Sequence, residues 1–208
     1  MIRYQPGVER SDTPGYHHPI RPHPGRGAST RSYLMAFLFA LMLTLPVPTT
    51  QTDDSDHAEQ KKRYEHVLAI LASPDSVELY SLKPLSHVGS REEIAEWQKK
   101  GDMFHFEGVM GKVEIKDPRE RQALLDAFRE AKAAFPKGSS GDGCFVPHHG
   151  MRLRKGSQVA DILICFTCGH AYYHLDEKKA GSSGVAKDYE YARPFDVILT
   201  KHGIKLAD

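Results

Sequence analysis

All three cysteines of this chain fall within 25 consecutive residues, at positions 144, 165 and 168. Cys165-Phe-Thr-Cys168 is a C-x-x-C pair, and Gly169 follows it directly. Two thiols at that spacing across a turn can point to one side, and glycine admits the tight backbone such a turn requires. Any fold of this chain must bring the Cys144 loop to that turn or leave one thiol isolated.

Two cross-links compete for the trio. Zinc takes four soft or borderline ligands in a tetrahedron. Cys144, Cys165 and Cys168 supply three, with His149 or His148 as a fourth from the loop Cys144-Phe-Val-Pro-His-His-Gly150 and His170 as a competitor. In an oxidising compartment the thiols pair instead, Cys144 with Cys165 or Cys168, and one is left over. A bridge closing roughly 20 residues contributes about 3 kcal/mol in the chain-entropy model. Inert burial of all three is the third reading. The expected cofactor is therefore none or one zinc ion.

The compartment is read from the first fifty residues. Residues 33–46 are nearly uninterrupted apolar sequence, preceded by Arg26 and Arg31 and followed by a polar run from Thr49. That is the layout of an export signal. As a helix it would reach only about 21 Å, short of a hydrocarbon core of about 30 Å. Val47-Pro48-Thr49 lacks small residues of the Ala-x-Ala kind, so residues 33–46 can also act as an uncleaved membrane anchor. The expected organisation is a disordered leader over 1–32, a signal peptide or anchor over 33–50, and one domain over 55–208. The expected localisation is periplasmic, cell-surface or secreted.

Charge divides the chain in the same way. Residues 1–50 hold 5 Lys/Arg against 2 Asp/Glu, whereas the remainder holds 23 against 25. A near-neutral domain gives no reason to expect nucleic acid as a partner. Protein partners stay open.

Periodicity predicts an α+β domain: an antiparallel sheet of hairpins with helices on one side. Helices are expected over 57–72, over 91–100 behind the Ser90–Glu93 capping box, over 118–135 and near 194–202. The third is the clearest, with Asp117 as cap and Leu124, Phe128, Ala131 and Phe135 in one stripe. Strands are expected at 77–82, 106–116, 151–155, 159–166 and 171–175, with Gly108 and Gly111 marking a bulge. Residues 176–193 read as a surface loop. Tyr172, Tyr173 and His174 are a candidate binding face, although a half-buried strand explains them better.

Catalytic patterns are sparse. Cys144 with His149 makes a nucleophile–base pair whose third member no spacing fixes. The C-x-x-C pair lacks the following helix of a thioredoxin-type site. Function is therefore expected to be that of an accessory or binding module stabilised by a cysteine cross-link or one zinc. The alternative is a thiol-dependent enzyme using Cys144 with His149, or the Cys165–Cys168 pair.

The string Cys-Phe-x-Pro-x-His-Gly, followed after a strand pair by Ile-Cys-Phe-x-Cys, resembles a group of small exported bacterial proteins of uncharacterised activity. The resemblance includes Gly111-Lys-Val-Glu-Ile115 and the next helix, about residues 105–175. In that pattern the residue before the histidine is usually Arg; here it is His148, which points to His149 for any shared role.

Overall fold

The structure is a computed structural model, and it describes residues 53–137 and 143–207. The expected leader and export segment lie outside the described residues. Among the described residues no helix is long and apolar enough to cross a membrane.

The described residues open with helix α1 (Asp53–Ala72), whose acidic first turn is the charge type that a helix start favours. Ser55 therefore sits inside the first turn. Strand β1 (Ser76–Lys83) and the short helix α2 (Leu85–Val88) follow. Helix α3 (Arg91–Lys100) is capped by Ser90, whose Oγ accepts from the Glu93 N–H at 3.1 Å, and Gly101 ends it at φ 75°. The two-residue β2 (Met103–Phe104) leads into β3 (Glu107–Glu114). Helix α4 (Pro118–Ala133) starts under Asp117, which accepts from Arg119 N–H at 2.9 Å, and buries Leu124, Leu125, Phe128 and Ala131.

The second half is a meander of β4 (His149–Lys155), β5 (Gln158–Cys165), β6 (His170–Leu175) and β7 (Lys178–Gly184), closed by helix α5 (Tyr189–Lys201). One antiparallel seven-stranded sheet results, in the order β2-β3-β1-β4-β5-β6-β7. This is the expected α+β class.

Two expectations need correction. The presumed loop 176–193 contains β7, an edge strand rich in glycine, serine and lysine. An edge strand is paired on one side only and tolerates such polar sequence. Its turn uses Asp176 and Glu177 at φ 46° and 68°, so no glycine announces the hairpin. Helix α5 begins at Tyr189 under the cap Asp188, and Pro194, expected at its start, lies inside it. The expected bulge is present: Ser81 pairs with Gly111 while Leu82 pairs with Val109, so Met110 is extra.

The sheet has two unlike faces. On one, Val77, Leu79, Met151, Leu153, Ile162, Ile164, Ala171 and Tyr173 meet α1, α4 and α5 in the main core. On the other, Tyr80, Leu82, Leu163, Cys165 and Cys168 form a smaller cluster with Phe104 and Phe145. Alternation along each strand decides which chemistry each face receives.

Candidate functional site

The cysteine corner belongs to the smaller cluster. Cys165 ends β5 and Cys168 lies in the turn to β6; the two are joined by a disulfide with Cα atoms 5.3 Å apart. Gly169 sits at φ 74°, where a Cβ would also meet Lys187 Cγ at 2.7 Å, so this position requires glycine. Cys144 keeps a free, exposed thiol with its Sγ 3.5 Å from Cys168 Sγ. Backbone N–H groups converge on the sulfurs, from Cys168 to Cys165 Sγ at 3.0 Å and from Val146 to Cys168 Sγ at 3.3 Å. Phe145 fastens the loop by stacking on Tyr172 with ring centres 4.0 Å apart.

The bridge differs from both expected pairings of Cys144. It lies within the C-x-x-C turn because strand and turn geometry already place those two sulfurs together. Closing so short a loop contributes about 2 kcal/mol in the chain-entropy model, less than a bridge of 20 residues. Aromatic stacking and the Val146 N–H, not a covalent bond, hold the Cys144 loop to the sheet.

His149 is not brought to the cysteines. It pairs with Ile164 on β5 and shares that residue's face, where it meets Phe166 and Phe195, while Cys165 points the other way. Its Nε2 is 2.8 Å from Asp196 Oδ1 on α5. The third group that sequence spacing could not supply is thus Asp196, 47 residues away, and its partner histidine does not face Cys144. His170, by contrast, pairs directly with Cys165 and shares the cysteine face. Among the described residues no cluster of three or more His, Cys, Asp or Glu side chains is arranged to hold a metal.

Ser81, His148, His149, Tyr189 and Asp196 line a cavity of about 270 Å³ beside α5. Ser81 lies directly opposite His149. The neighbouring pair is bonded through Leu82 N–H to His148 O, so Ser81 and His149 form a non-hydrogen-bonded pair, the arrangement that brings side chains closest. Ser81 is 1% exposed, yet its Oγ has no hydrogen-bond partner among the described residues. Burial, with His149 adding to it, holds the His148 imidazole below the usual histidine range, and Asp196 opposes this only partly. A buried hydroxyl, a neutral imidazole and a carboxylate therefore share one small space.

A third polar group occupies the same sheet face as the cysteines. Asp161, 2% exposed, accepts two hydrogen bonds from Arg152, at 2.8 and 2.7 Å, and lies 3.0 Å from His105 Nε2. Burial pushes its carboxyl up, but the Arg152 and His105 hydrogen bonds more than offset that and hold it below the usual carboxylate range. His174 stacks on His105 at 4.0 Å. Burial first, then His105, pushes the His174 imidazole down to about 4. Of the candidate binding face, Tyr172 and His174 do share this surface, whereas Tyr173 is buried in the main core. The sequence signal for the group was slight: an acid inside the apolar run Val159–Cys165 must be paired if buried.

No family model matches the chain, and neither a curated protein nor a solved structure matches it.

Proposed function

We propose that the chain is an exported accessory or binding module, braced by its cysteine turn, that holds a small ligand in the cavity between β1, β4 and α5. The observation that carries this reading is the buried Ser81 Oγ, without a partner among the described residues, beside the His149–Asp196 pair. A buried hydroxyl left unbonded costs about 1–3 kcal/mol, which a ligand hydrogen bond removes. Neutral His148 offers a ring-nitrogen acceptor, and the Asp196 carboxylate accepts more than its one bond to His149. An acceptor-rich cavity suits a small donor-bearing ligand such as an amine, amide or polyol. Export is supported by the basic flank and apolar run of residues 33–46, with anchoring by that run as its alternative.

Ligand-observed NMR with small amines, amides and polyols tests the binding reading. Hits abolished by Ser81→Val, which fills the space and removes the hydroxyl, support it. An absence of hits, or hits indifferent to Ser81→Val and Asp196→Asn, sinks it.

A zinc-braced form is the second reading, favoured by one observation: His170 lies across from Cys165 on the cysteine face. With the disulfide reduced, Cys144, Cys165, Cys168 and His170 make a Cys3His donor set of the structural kind. Zinc titration of the reduced chain separates the candidate fourth ligands. Tetrahedral binding lost in His170→Ala and kept in His149→Ala supports this set, and the opposite pattern removes it.

A further inference from the structure

We propose that Cys144 is the entry thiol through which small external thiols and disulfides oxidise and reduce the buried Cys165–Cys168 pair. Cys165 and Cys168 are each 1% exposed, so a reagent in solution cannot reach either sulfur, whereas Cys144 is exposed. The exposed sulfur stands 3.5 Å from one of the buried ones. Exchange requires an attacking thiolate, an accessible path to a disulfide sulfur and a stabilised leaving group. The corner supplies the last two. Val146 N–H holds Cys168 Sγ, the sulfur that Cys144 faces, and Cys168 N–H points at Cys165 Sγ, the sulfur that leaves when Cys144 attacks the bridge in the reducing direction. A hydrogen bond from a backbone N–H to a thiolate is charge-assisted and stronger than one to a neutral sulfur.

The steps balance with an external disulfide, RSSR, as oxidant. In the reduced corner, the Cys144 thiolate attacks RSSR, the S–S bond of the reagent breaks and one RS⁻ leaves. The Cys168 thiolate then attacks Cys144 Sγ, forming a Cys144–Cys168 bond and releasing the second RS⁻. Finally the Cys165 thiolate attacks Cys168 Sγ and Cys144 leaves as thiolate. Two electrons pass from the Cys165–Cys168 pair to the reagent. The protons of Cys165 and Cys168 go to solvent, from which the two RS⁻ are protonated, and Cys144 is regenerated. Reduction by an external thiol runs the same steps backwards. The proposal is independent of ligand binding in the β1–β4–α5 cavity, which does not use the Cys144 thiol.

The test uses the full chain, reduced and then mixed with oxidised glutathione, with samples alkylated over time and the disulfides mapped by mass spectrometry. Cys144→Ser, an exposed substitution, is expected to slow formation of the Cys165–Cys168 bond at least tenfold. Cys165→Ser removes the last attacking thiol and is expected to accumulate Cys144–Cys168. An unchanged rate in Cys144→Ser overturns the proposal, and so does a Cys165→Ser chain that keeps Cys144 on glutathione without forming Cys144–Cys168.

Discussion

Replacing Asp161 with alanine removes a carboxylate that joins β4, β5 and the β2–β3 turn on the sheet face of the smaller cluster. It strips Arg152 of a two-pronged partner and His105 of its 3.0 Å contact. Removing one member of a buried ion pair costs about 3–5 kcal/mol, because a charge is left unpaired in a desolvated place. Here the lower end applies. The Arg152 side chain is 28% exposed and can turn partly to water, while His105, at 12%, cannot. A loss of about 3 kcal/mol in a domain of this size lowers the melting temperature by about 6–12 °C. Circular dichroism melts and urea titrations at neutral pH measure it. The double variant Asp161→Ala/Arg152→Met, set beside each single variant, is a sharper check. With both charges removed only His105 is left without its partner, so at least half of the loss should return, even though the stacking of Arg152 over Phe104 at 5.3 Å goes as well. A loss in Asp161→Ala below about 1 kcal/mol, or simple additivity in the double variant, would refute the account.

Three further predictions follow from single positions. His174 is held neutral in the fold, with its imidazole near 4 against an ordinary 6.5, so the unfolded chain takes up a proton first as pH falls. Stability should therefore decline between about pH 6.5 and 4 by about 1–2 kcal/mol, discounted for solvent screening, and His174→Phe should remove that part of the slope in pH-dependent melts. At Gly150 a Cβ would stand 2.8 Å from Phe104 Cε1 and 3.1 Å from Leu82 Cδ1, both in buried side chains, so Gly150→Ala should cost about 1–3 kcal/mol in urea unfolding. A neutral effect there would show that the ring gives way. Glu107, buried, accepts from the Leu85 N–H, the Ser86 N–H and the Ser86 hydroxyl at the start of α2. Glu107→Ala strands those donors and should cost about 2 kcal/mol, read as a shifted urea midpoint and faster amide exchange at Leu85 and Ser86.

Elements with a local signature were legible in the sequence. The stripe of Leu124 and Phe128 behind the Asp117 cap, the Ser90 box and the alternation of β3 through β6 each follow from neighbours a few residues apart. What escaped depends on partners far along the chain. β7 carries no apolar alternation and turns on Asp176 and Glu177 at positive φ, so only pairing with β6 reveals it. The candidate site was half legible for the same reason. The C-x-x-C turn with its glycine is local, and so are the sulfurs it gathers. The separation of His149 from them is not, because it follows from strand parity: His149 faces with Met151 and Ile164, and Cys165 faces with Leu163. Asp196 reaches His149 across 47 residues, and Asp161 meets His105 across 56, distances at which a sequence without fold knowledge offers no pairing rule.

The most direct test of the cysteine corner is thiol and metal accounting on the full chain purified without reductant. Alkylation before digestion, disulfide mapping and metal analysis of one sample suffice. The expected result is a chain lighter by two hydrogens, with Cys165 linked to Cys168 and Cys144 taking the label. A dominant Cys144 bridge, or one zinc per chain with Cys165 and Cys168 unlinked, would contradict it.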